Sequence, residues 1–403
     1  MTRRAFDVTV VGAGVVGATL ALSLARGGMR VAVVEAGRRA RFDPDRTDLR
    51  VLAISPGSAR LLDHLGVWDS IVAARVSPYR EMEVWDAGGF GSIHFDSADI
   101  GEPALGHIVE NSLITFSLQQ ALEQMPTASL LFESRPESLE LTEEAAVLRL
   151  EDGRSLDAGL VVAADGRDSS LREMAGLDVR GWGYAQRAIV ACIDTEKPHR
   201  ETAWQRFMPE GPLAFLPLAD GRCSIVWSTS VEQAATLSEM NEEAFCTALT
   251  EASDACLGRV TGVGTRAGFE LKAQYAPSYI ARRFALVGDA AHAVHPLAGQ
   301  GANLGLMDAS ELATQVLEGR EHGRDPGDRS LLRRYERARK PENLLMLGAF
   351  DAFKRGFGNS YAPLRFLRNA GLAISNRLGP VKHAFMRRAM GLGAELPPRN
   401  PQI

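Results

Sequence analysis

The sequence predicts a mixed α/β (α+β) protein: a Rossmann-like nucleotide-binding domain interleaved with a second, β-sheet domain, then a helical C-terminal region. Three observations predict it. The chain opens on a β-α-β unit whose turn reads Gly12-Ala-Gly14-Val-Val-Gly17. Two later apolar strands also end in an acid, at Asp165 and Asp289. Between these two, residues 187–232 hold four β-like runs (AIVACI, AWQRFM, LAFLPL and CSIVWSTS) that read as a separate sheet.

The elements follow in order. Phe6 to Val11 is an apolar run typical of a buried strand, a helix runs from about Val15 to Ala25, and Gly27-Gly28 ends it. Arg30 to Val34 is a second strand closing on Glu35. Residues 38–50 are charged and loop-like, and a helix follows from about Pro56 to Leu65. Residues 80–96 alternate apolar and polar around Gly88-Gly89, which predicts a hairpin. Asn111 to Gln124 reads as a helix, and 129–162 as short strands with a turn at Glu151-Asp152-Gly153. Residues 239–257 read as helical, and Gly262-Val-Gly264 as the turn of a hairpin. Phe284 to Val287 is a buried strand, Ala302 to Leu317 and Leu331 to Phe353 are helices, and Pro363 and Pro380 break the tail. The nucleotide-binding domain is assigned to residues 1–75, 100–180 and 275–345. The sheet domain takes 76–99 and 181–274, and the helical region 346–403.

Composition narrows the function. With 403 residues, 45% of them apolar and 24% charged, the chain is an ordinary globular protein and not a disordered or collagen-like one. A net charge of −5 gives no reason to expect nucleic acid as a partner. The charge is uneven: from Asp351 to Ile403 there are nine Lys/Arg against two Asp/Glu. Cysteines at 192, 223, 246 and 256 match no zinc or CxxC spacing and make no disulfide framework, so no metal site and a reducing compartment are expected. No run of about 18 apolar residues suggests a membrane span. The N-terminus has no signal-peptide apolar region. The expectation is a cytoplasmic protein, with peripheral attachment to the inner membrane as an option.

The chemistry lies in the glycine turn and the acidic strand ends. Gly12 permits the tight turn, Gly14 lets a pyrophosphate approach the backbone, and Gly17 lets helix and strand pack closely. The helix N-terminus offers free N–H groups and partial positive charge to phosphates. Glu35, 18 residues after Gly17, is placed to accept hydrogen bonds from a ribose. NAD and FAD share this fingerprint. FAD also carries a ribityl chain whose hydroxyls need an acceptor, and Asp289, in Gly288-Asp289-Ala-Ala-His292, suits that role. Downstream, Gly299-Gln300-Gly301-Ala302-Asn303 precedes a helix whose N–H groups could face the electron-rich edge of a flavin. His292 and His295 read as structural more readily than as proton acceptors.

Together GAGVVG, Arg50-Val-Leu-Ala-Ile-Ser55, the Asp165-Gly166 segment and GDAAHAVHPLAGQGANLG resemble the class A flavoprotein monooxygenases. Within that class the chain is most similar to the ubiquinone-biosynthesis hydroxylases, through LGVWDSI, MEVWD, LGHIVENSLI, GPLAFLPLADGRCSIVW, LRRYERARKP and the end from PLRFLRNAGL to MRRAMGL. The resemblance implies that Gly12, Gly14, Gly17 and Glu35 hold the ADP half of FAD. It implies that Arg50 and Asn111 lie near the cofactor, that Asp165 and Gly166 serve both FAD and the nicotinamide, and that Gly288 and Asp289 hold the ribityl chain. Gly299, Gly301, Ala302 and Asn303 would line the isoalloxazine. Pro296 would sit beside it, and Pro296 and Arg50 are the candidate catalytic residues. Many relatives carry Arg where this chain has Ser112, so that position is not carried over.

The implied reaction inserts one oxygen atom of O2 into a polyprenylated phenol, with NAD(P)H or another donor reducing the flavin. MEVWD and LGHIVENS resemble the C5 enzymes most, YAQR and AWQRFMPEGP the C6 enzymes, and C1 is a third option. A different flavin reaction and a non-catalytic FAD-binding subunit of the biosynthetic assembly are the alternatives; the WxWxIP signature of halogenases is absent. A bilayer-resident substrate gives the basic tail one possible role. Arg365, Arg368, Arg377, Lys382, Arg387 and Arg388 alternate with Phe366, Leu367, Leu372, Ile374, Phe385 and Met386, as a membrane surface or a partner protein would require. A helix face packed on its own domain explains the same pattern.

Overall fold

The computed structural model describes residues 4–89, 91–294 and 299–357, together with 383, 386–387, 390–392 and 396–398. Five parallel strands make the centre of the first sheet. Across it they run Phe284–Leu286, Ser155–Ala163, Phe6–Val11, Val31–Val34 and Ala128–Leu131. Val8, Val10, Val31, Val34, Leu160 and Val162 are fully buried, because helices cover both faces of a parallel sheet. The helix Val15–Arg26 is apolar on nearly every side. It lies against the helices Asn111–Glu123 and Gln300–Glu321 as well as the sheet. An antiparallel hairpin, Pro136–Leu141 and Ala146–Leu150, continues the sheet beside the start of Ser155–Ala163.

Among the described residues the second sheet has nine strands. Its main path is His292–Ala293, Ala267–Tyr275, Arg180–Thr195, Cys223–Ser230, Gly211–Pro217, Thr202–Met208, Glu81–Asp86 and Ser92–Asp96. The helices Val231–Glu239 and Glu242–Ala252 cover one face, where Ile189, Leu213, Phe215, Ile225 and Trp227 meet Leu237, Phe245 and Leu249. A third sheet of Val51–Ile54, Gly106–Glu110 and Ser77–Tyr79 joins the two larger ones. The chain passes repeatedly between the sheets, so the fold is interleaved, as the sequence predicts.

Three local expectations need correction. Gly262 and Gly264 do not turn a hairpin: Val260–Val263 and Ala267–Tyr275 lie end to end along the same edge of Arg180–Thr195, both antiparallel to it. That strand begins at Arg180, not 187, because a bulge between Gly183 and Arg187 breaks the alternation. The segment after Ser230 is a helix that the sequence reading missed. Ser230 caps it by accepting from the Gln233 N–H.

Among the described residues, no helix is long and apolar enough to cross a membrane. The last described helix runs from Arg329 to Phe357. Of the basic tail, Met386 and Met390 are buried against Ile100 and Leu105, and Arg387 donates to the Ile100 carbonyl (3.3 Å). Here the tail packs on its own fold. Arg365, Phe366, Leu367, Arg368, Leu372, Ile374, Arg377, Lys382, Phe385 and Arg388 lie outside the described residues.

Candidate functional site

The glycine turn follows the Phe6–Val11 strand directly. Gly12 has φ of +103°, and a Cβ there would lie 2.2 Å from the Ala164 carbonyl oxygen. A Cβ at Gly17 would lie 2.0 Å from the Gly12 carbonyl oxygen. These two glycines let the turn, the helix and the Ser155–Ala163 strand end come together. Gly14 differs: nothing lies within 4 Å of a Cβ built on it. It opens on a concavity beside the helix N-terminus, where no side chain caps the free N–H groups. That is the cradle a pyrophosphate requires.

Two side chains hold the turn in place. Glu35 Oε2 accepts from the Ala13 N–H, and Oε1 from the Gly37 N–H, both at 2.7 Å. Each oxygen keeps a lone pair for a ribose hydroxyl. Gln119, which the sequence reading missed, donates to the Ala13 carbonyl and accepts from the Ala40 N–H, both at 2.8 Å.

The other predicted segments converge on the same end of the first sheet. Val16, inside the glycine turn, would contact a Cβ at Gly288 and one at Gly305. Gly288 itself has φ of +59° and opens the turn that carries Asp289. Arg172 is 3% exposed and donates to the carbonyls of Arg167 and Ala290, both at 3.0 Å, which joins the Asp165-Gly166 segment to the Asp289 segment. Asp165 Oδ2 accepts from the Leu171 N–H, while Oδ1 is buried with no hydrogen-bond partner among the described residues. Burial raises the pKa of this carboxyl. Gly166, at φ of +89°, faces open space.

Asp289 itself is exposed in the cleft between these segments, on a turn whose neighbours Gly288 and Ala290 are buried. Burial by the surrounding protein raises its pKa, against the pull of His292, Arg50 and Arg167. Arg50 is exposed at the same cleft. Its carbonyl accepts from the Asn111 N–H (2.9 Å), so Arg50 and the start of the Asn111–Glu123 helix arrive together.

Beneath the Asp289 turn lies a buried polar cluster that the sequence reading did not identify. Asp308, 0% exposed, accepts from His292 Nε2 (2.5 Å) and the Gly288 N–H (3.1 Å) on one oxygen. On the other it accepts from Arg339 Nε (2.9 Å) and Asn343 Nδ2 (3.0 Å). Burial alone would raise the Asp308 pKa, but His292, Arg339 and Asn343 outweigh it and hold it at about 2. An acid on the buried face of Gln300–Glu321, beside Leu304 and Leu312, was the signal available in sequence.

The helix Gln300–Glu321 points its uncapped N-terminus into the cleft. Gly299, at φ of +64°, packs on Ala53, where a Cβ would lie 2.9 Å from the Ala53 Cβ. Gly301 and Ala302 are half-buried, and a Cβ at Gly301 would touch Val294 at 3.6 Å. The Asn303 side chain is fully engaged: Oδ1 accepts from the Ser55 N–H (2.9 Å) and Nδ2 donates to the Ala53 carbonyl (2.8 Å). Asn303 therefore offers a cofactor its backbone, not its amide. His295 and Pro296 lie outside the described residues.

Opposite this cleft is the helix-free face of the second sheet. Ala53 packs there with Cys192 and Leu218, with Leu216 against the same cluster. Val190, Ala214, Leu216 and Val226 on this face are only half-buried. The site pairs a nucleotide cradle with an apolar floor.

Comparison with known proteins agrees with this geometry. The family described as "FAD binding domain" matches residues 5–346. The chain is 38% identical over 393 residues to the 3-demethoxyubiquinol 3-hydroxylase of Escherichia coli strain K12, covering 97% of this chain and 100% of that one. It is 40% identical over 396 residues to the ubiquinone hydroxylase UbiL of Rhodospirillum rubrum, covering 98% and 92%. PqsL of Pseudomonas aeruginosa, solved in complex with 2-aminobenzoylacetate, superposes with a TM-score of 0.77 at 26% identity, covering 91% of this chain and 99% of that one.

Proposed function

We propose a specific reaction for this chain, which belongs to the FAD-binding-domain family and is an FAD-dependent monooxygenase: it hydroxylates the ring of a polyprenylated phenol in ubiquinone biosynthesis. The names and full-length identity of the two bacterial relatives support that substrate class. The observation that carries the reading is the cleft itself, with four cofactor-binding segments on one side and an apolar sheet face on the other.

FAD, when bound, supplies the activation of O2 that ring hydroxylation needs. The protein's part is to hold it and to keep water out. Gly12, Gly14 and Gly17 shape the pyrophosphate cradle, Glu35 accepts from the ribose, and Asp289 accepts from the ribityl chain. Asp165, at the end of the neighbouring strand, adds a carboxylate beside the same cleft. The backbone at Gly299, Gly301, Ala302 and Asn303 turns helix N–H groups toward the pyrimidine edge, where they favour negative charge. Arg50 and Asn111 flank the flavin, with Arg50 adding a second positive group. Pro296 is placed beside the ring on resemblance alone. The electron donor is NAD(P)H or a separate reductase protein. The basic tail provides peripheral attachment to the inner membrane or to a biosynthetic assembly.

C5 is the ring position supported by MEVWD and LGHIVENS. A second reading, C6, is supported by YAQR, AWQRFMPEGP and the relative named for 3-demethoxyubiquinol. Expression in bacterial strains lacking the C5, C6 or C1 hydroxylase, with quinones identified by mass spectrometry, decides between them. Ubiquinone is expected to return in the C5 strain. Return only in the C6 or C1 strain moves the position, and failure in all three, with soluble yellow protein present, removes the substrate assignment.

A further inference from the structure

Arg50 reaches the cofactor cleft from the end of a long loop. Residues 35–50 join Val31–Val34 to Val51–Ile54 and hold no helix or strand. Burial does not fix this loop, because residues 43–46 are exposed. A loop held only at its ends samples many positions, and ordering it costs entropy that other contacts must offset. Arg75 supplies those contacts. It follows the helix Trp68–Ala74, and its side chain is 19% exposed. Nη1 donates to Thr47 Oγ1 (3.1 Å) and to Glu110 Oε1 (3.4 Å). Nη2 donates to the carbonyls of Asp43 (3.2 Å) and Pro44 (2.5 Å). The guanidinium also stands over the Phe42 ring, 5.4 Å from its centroid. One side chain thus gathers Phe42, Asp43, Pro44 and Thr47. The planar fork of an arginine suits this task, and the point charge of a lysine does not.

A short line of contacts leads from Arg75 to Arg50. The Glu110 side chain is 4% exposed, and the oxygen that faces Arg75 also accepts from the Asp48 N–H (2.7 Å). Asp48 Oδ1 in turn accepts from the Arg50 N–H (3.1 Å), and Oδ2 from the Ser112 N–H (3.3 Å). The Arg50 carbonyl accepts from the Asn111 N–H, so the Arg50 backbone is held on both sides. Thr47 Oγ1 has a second donor, Arg222 Nη2 (2.8 Å), from the turn between Gly211–Pro217 and Cys223–Ser230 of the second sheet. Asp220 steadies Arg222 by accepting from its Nε (3.0 Å) and Nη2 (2.6 Å). The loop is therefore pinned from both sheets at once, close to the residue it delivers.

We propose that Arg75 is a positioning residue that sets Arg50 in the cofactor cleft, acting through Thr47 and through the Glu110–Asp48 link. This rests on the reading that Arg50 flanks the flavin. Arg75 acts on the flavin only by way of Arg50, so its removal and the removal of Arg50 should have one and the same effect there.

The test has two readouts: hydrogen exchange of residues 42–50 in the full-length apoprotein, and the reduction potential of bound FAD in the holoenzyme. Arg50→Gln is expected to leave exchange unchanged. It should lower the ratio of reduced to oxidised flavin at a fixed potential by about threefold to tenfold, the scale of one nearby, partly screened charge. Arg75→Met is expected to speed exchange at least about tenfold and to lower the flavin ratio in the same direction. Arg50→Gln combined with Arg75→Met should lower that ratio no further than Arg50→Gln alone, since the second change acts through the first. Thr47→Val, which removes the shared acceptor without touching a buried charge, should move both readouts the same way by less. Additive flavin shifts in the double variant overturn the proposal, as does faster exchange with an unmoved flavin in Arg75→Met. Faster exchange throughout the chain makes Arg75 a structural residue and overturns it too. Where Arg75→Met does not fold, Thr47→Val decides: a shift in both readouts supports the proposal, and an unmoved flavin overturns it. An unmoved flavin in Arg50→Gln removes the reading of Arg50 itself, and the proposal with it.

Discussion

Alanine in place of Gly14 is expected to weaken FAD binding about tenfold to a hundredfold while leaving the apoprotein folded, the penalty of forcing an extra methyl group into a filled site. The backbone at Gly14 is extended, with φ of −71° and ψ of −177°, so alanine fits without strain. No protein atom lies within 4 Å of the new Cβ. The apoprotein should lose no more than about 1 kcal/mol, from a poorer N-cap. Gly12→Ala is the contrasting control. Its Cβ would meet the Ala164 carbonyl oxygen at 2.2 Å and carbonyl carbon at 2.6 Å, and φ of +103° excludes most side chains. That variant is expected to destabilise the apoprotein itself. Titration of each apoprotein with FAD, beside thermal unfolding without it, separates the two effects. FAD affinity in Gly14→Ala within twofold of the wild type would move the pyrophosphate away from this turn.

Asp308→Asn is expected to have the largest effect on stability, roughly 3–5 kcal/mol at neutral pH, because it removes the only fully buried carboxylate partner of Arg339 among the described residues and leaves it the half-exposed Glu342. Arg339 is 7% exposed and Asp308 fully buried, so water cannot replace the lost contact. The Gly288 N–H also loses its carboxylate acceptor, and flavin content should fall as the Asp289 turn loosens. The pH dependence has a definite sign. The folded-state pKa of Asp308 is depressed to about 2 from the ordinary carboxylate value of 3.8. Its contribution is therefore complete above about pH 4 and is lost as the pH falls through 2. The gap between wild type and variant in urea unfolding should narrow over that range. A gap under about 1 kcal/mol at neutral pH would show that the cluster does not hold the turn.

The parts of the site legible in sequence are those whose physical reason is local. Three glycines at fixed offsets each answer a separate steric demand, and Glu35 follows at the end of the next strand. Those demands recur in the structure at Gly12, Gly17 and Gly14. The Asp308 cluster was not legible, because His292, Arg339 and Asn343 lie 16 to 35 residues from Asp308 and meet it only through packing. Asn303 shows a related limit: its place at the helix N-terminus could be read, but its engagement with Ala53 and Ser55, some 250 residues away, could not. In the second sheet the four β-like runs were legible by composition. Gly262-Val-Gly264 was misread because two glycines mimic a turn, whereas pairing with residues 190–195 decides the path. The helix after Ser230 had its cap in the sequence, Ser230 with Gln233, but the β pattern of CSIVWSTS ran into it.

The proposed reaction has this chain, with FAD bound, place one oxygen atom from O2 on the ring of a polyprenylated phenol. The most direct measurement supplies purified holoenzyme with a 2-polyprenylphenol, a flavin reductant and ¹⁸O-labelled O2, and reads the product by mass spectrometry. One labelled oxygen on the ring, absent when the protein or the phenol is omitted, is the predicted result. Substrate-dependent oxygen use that yields only hydrogen peroxide, or a ring oxygen that carries no label, would contradict it.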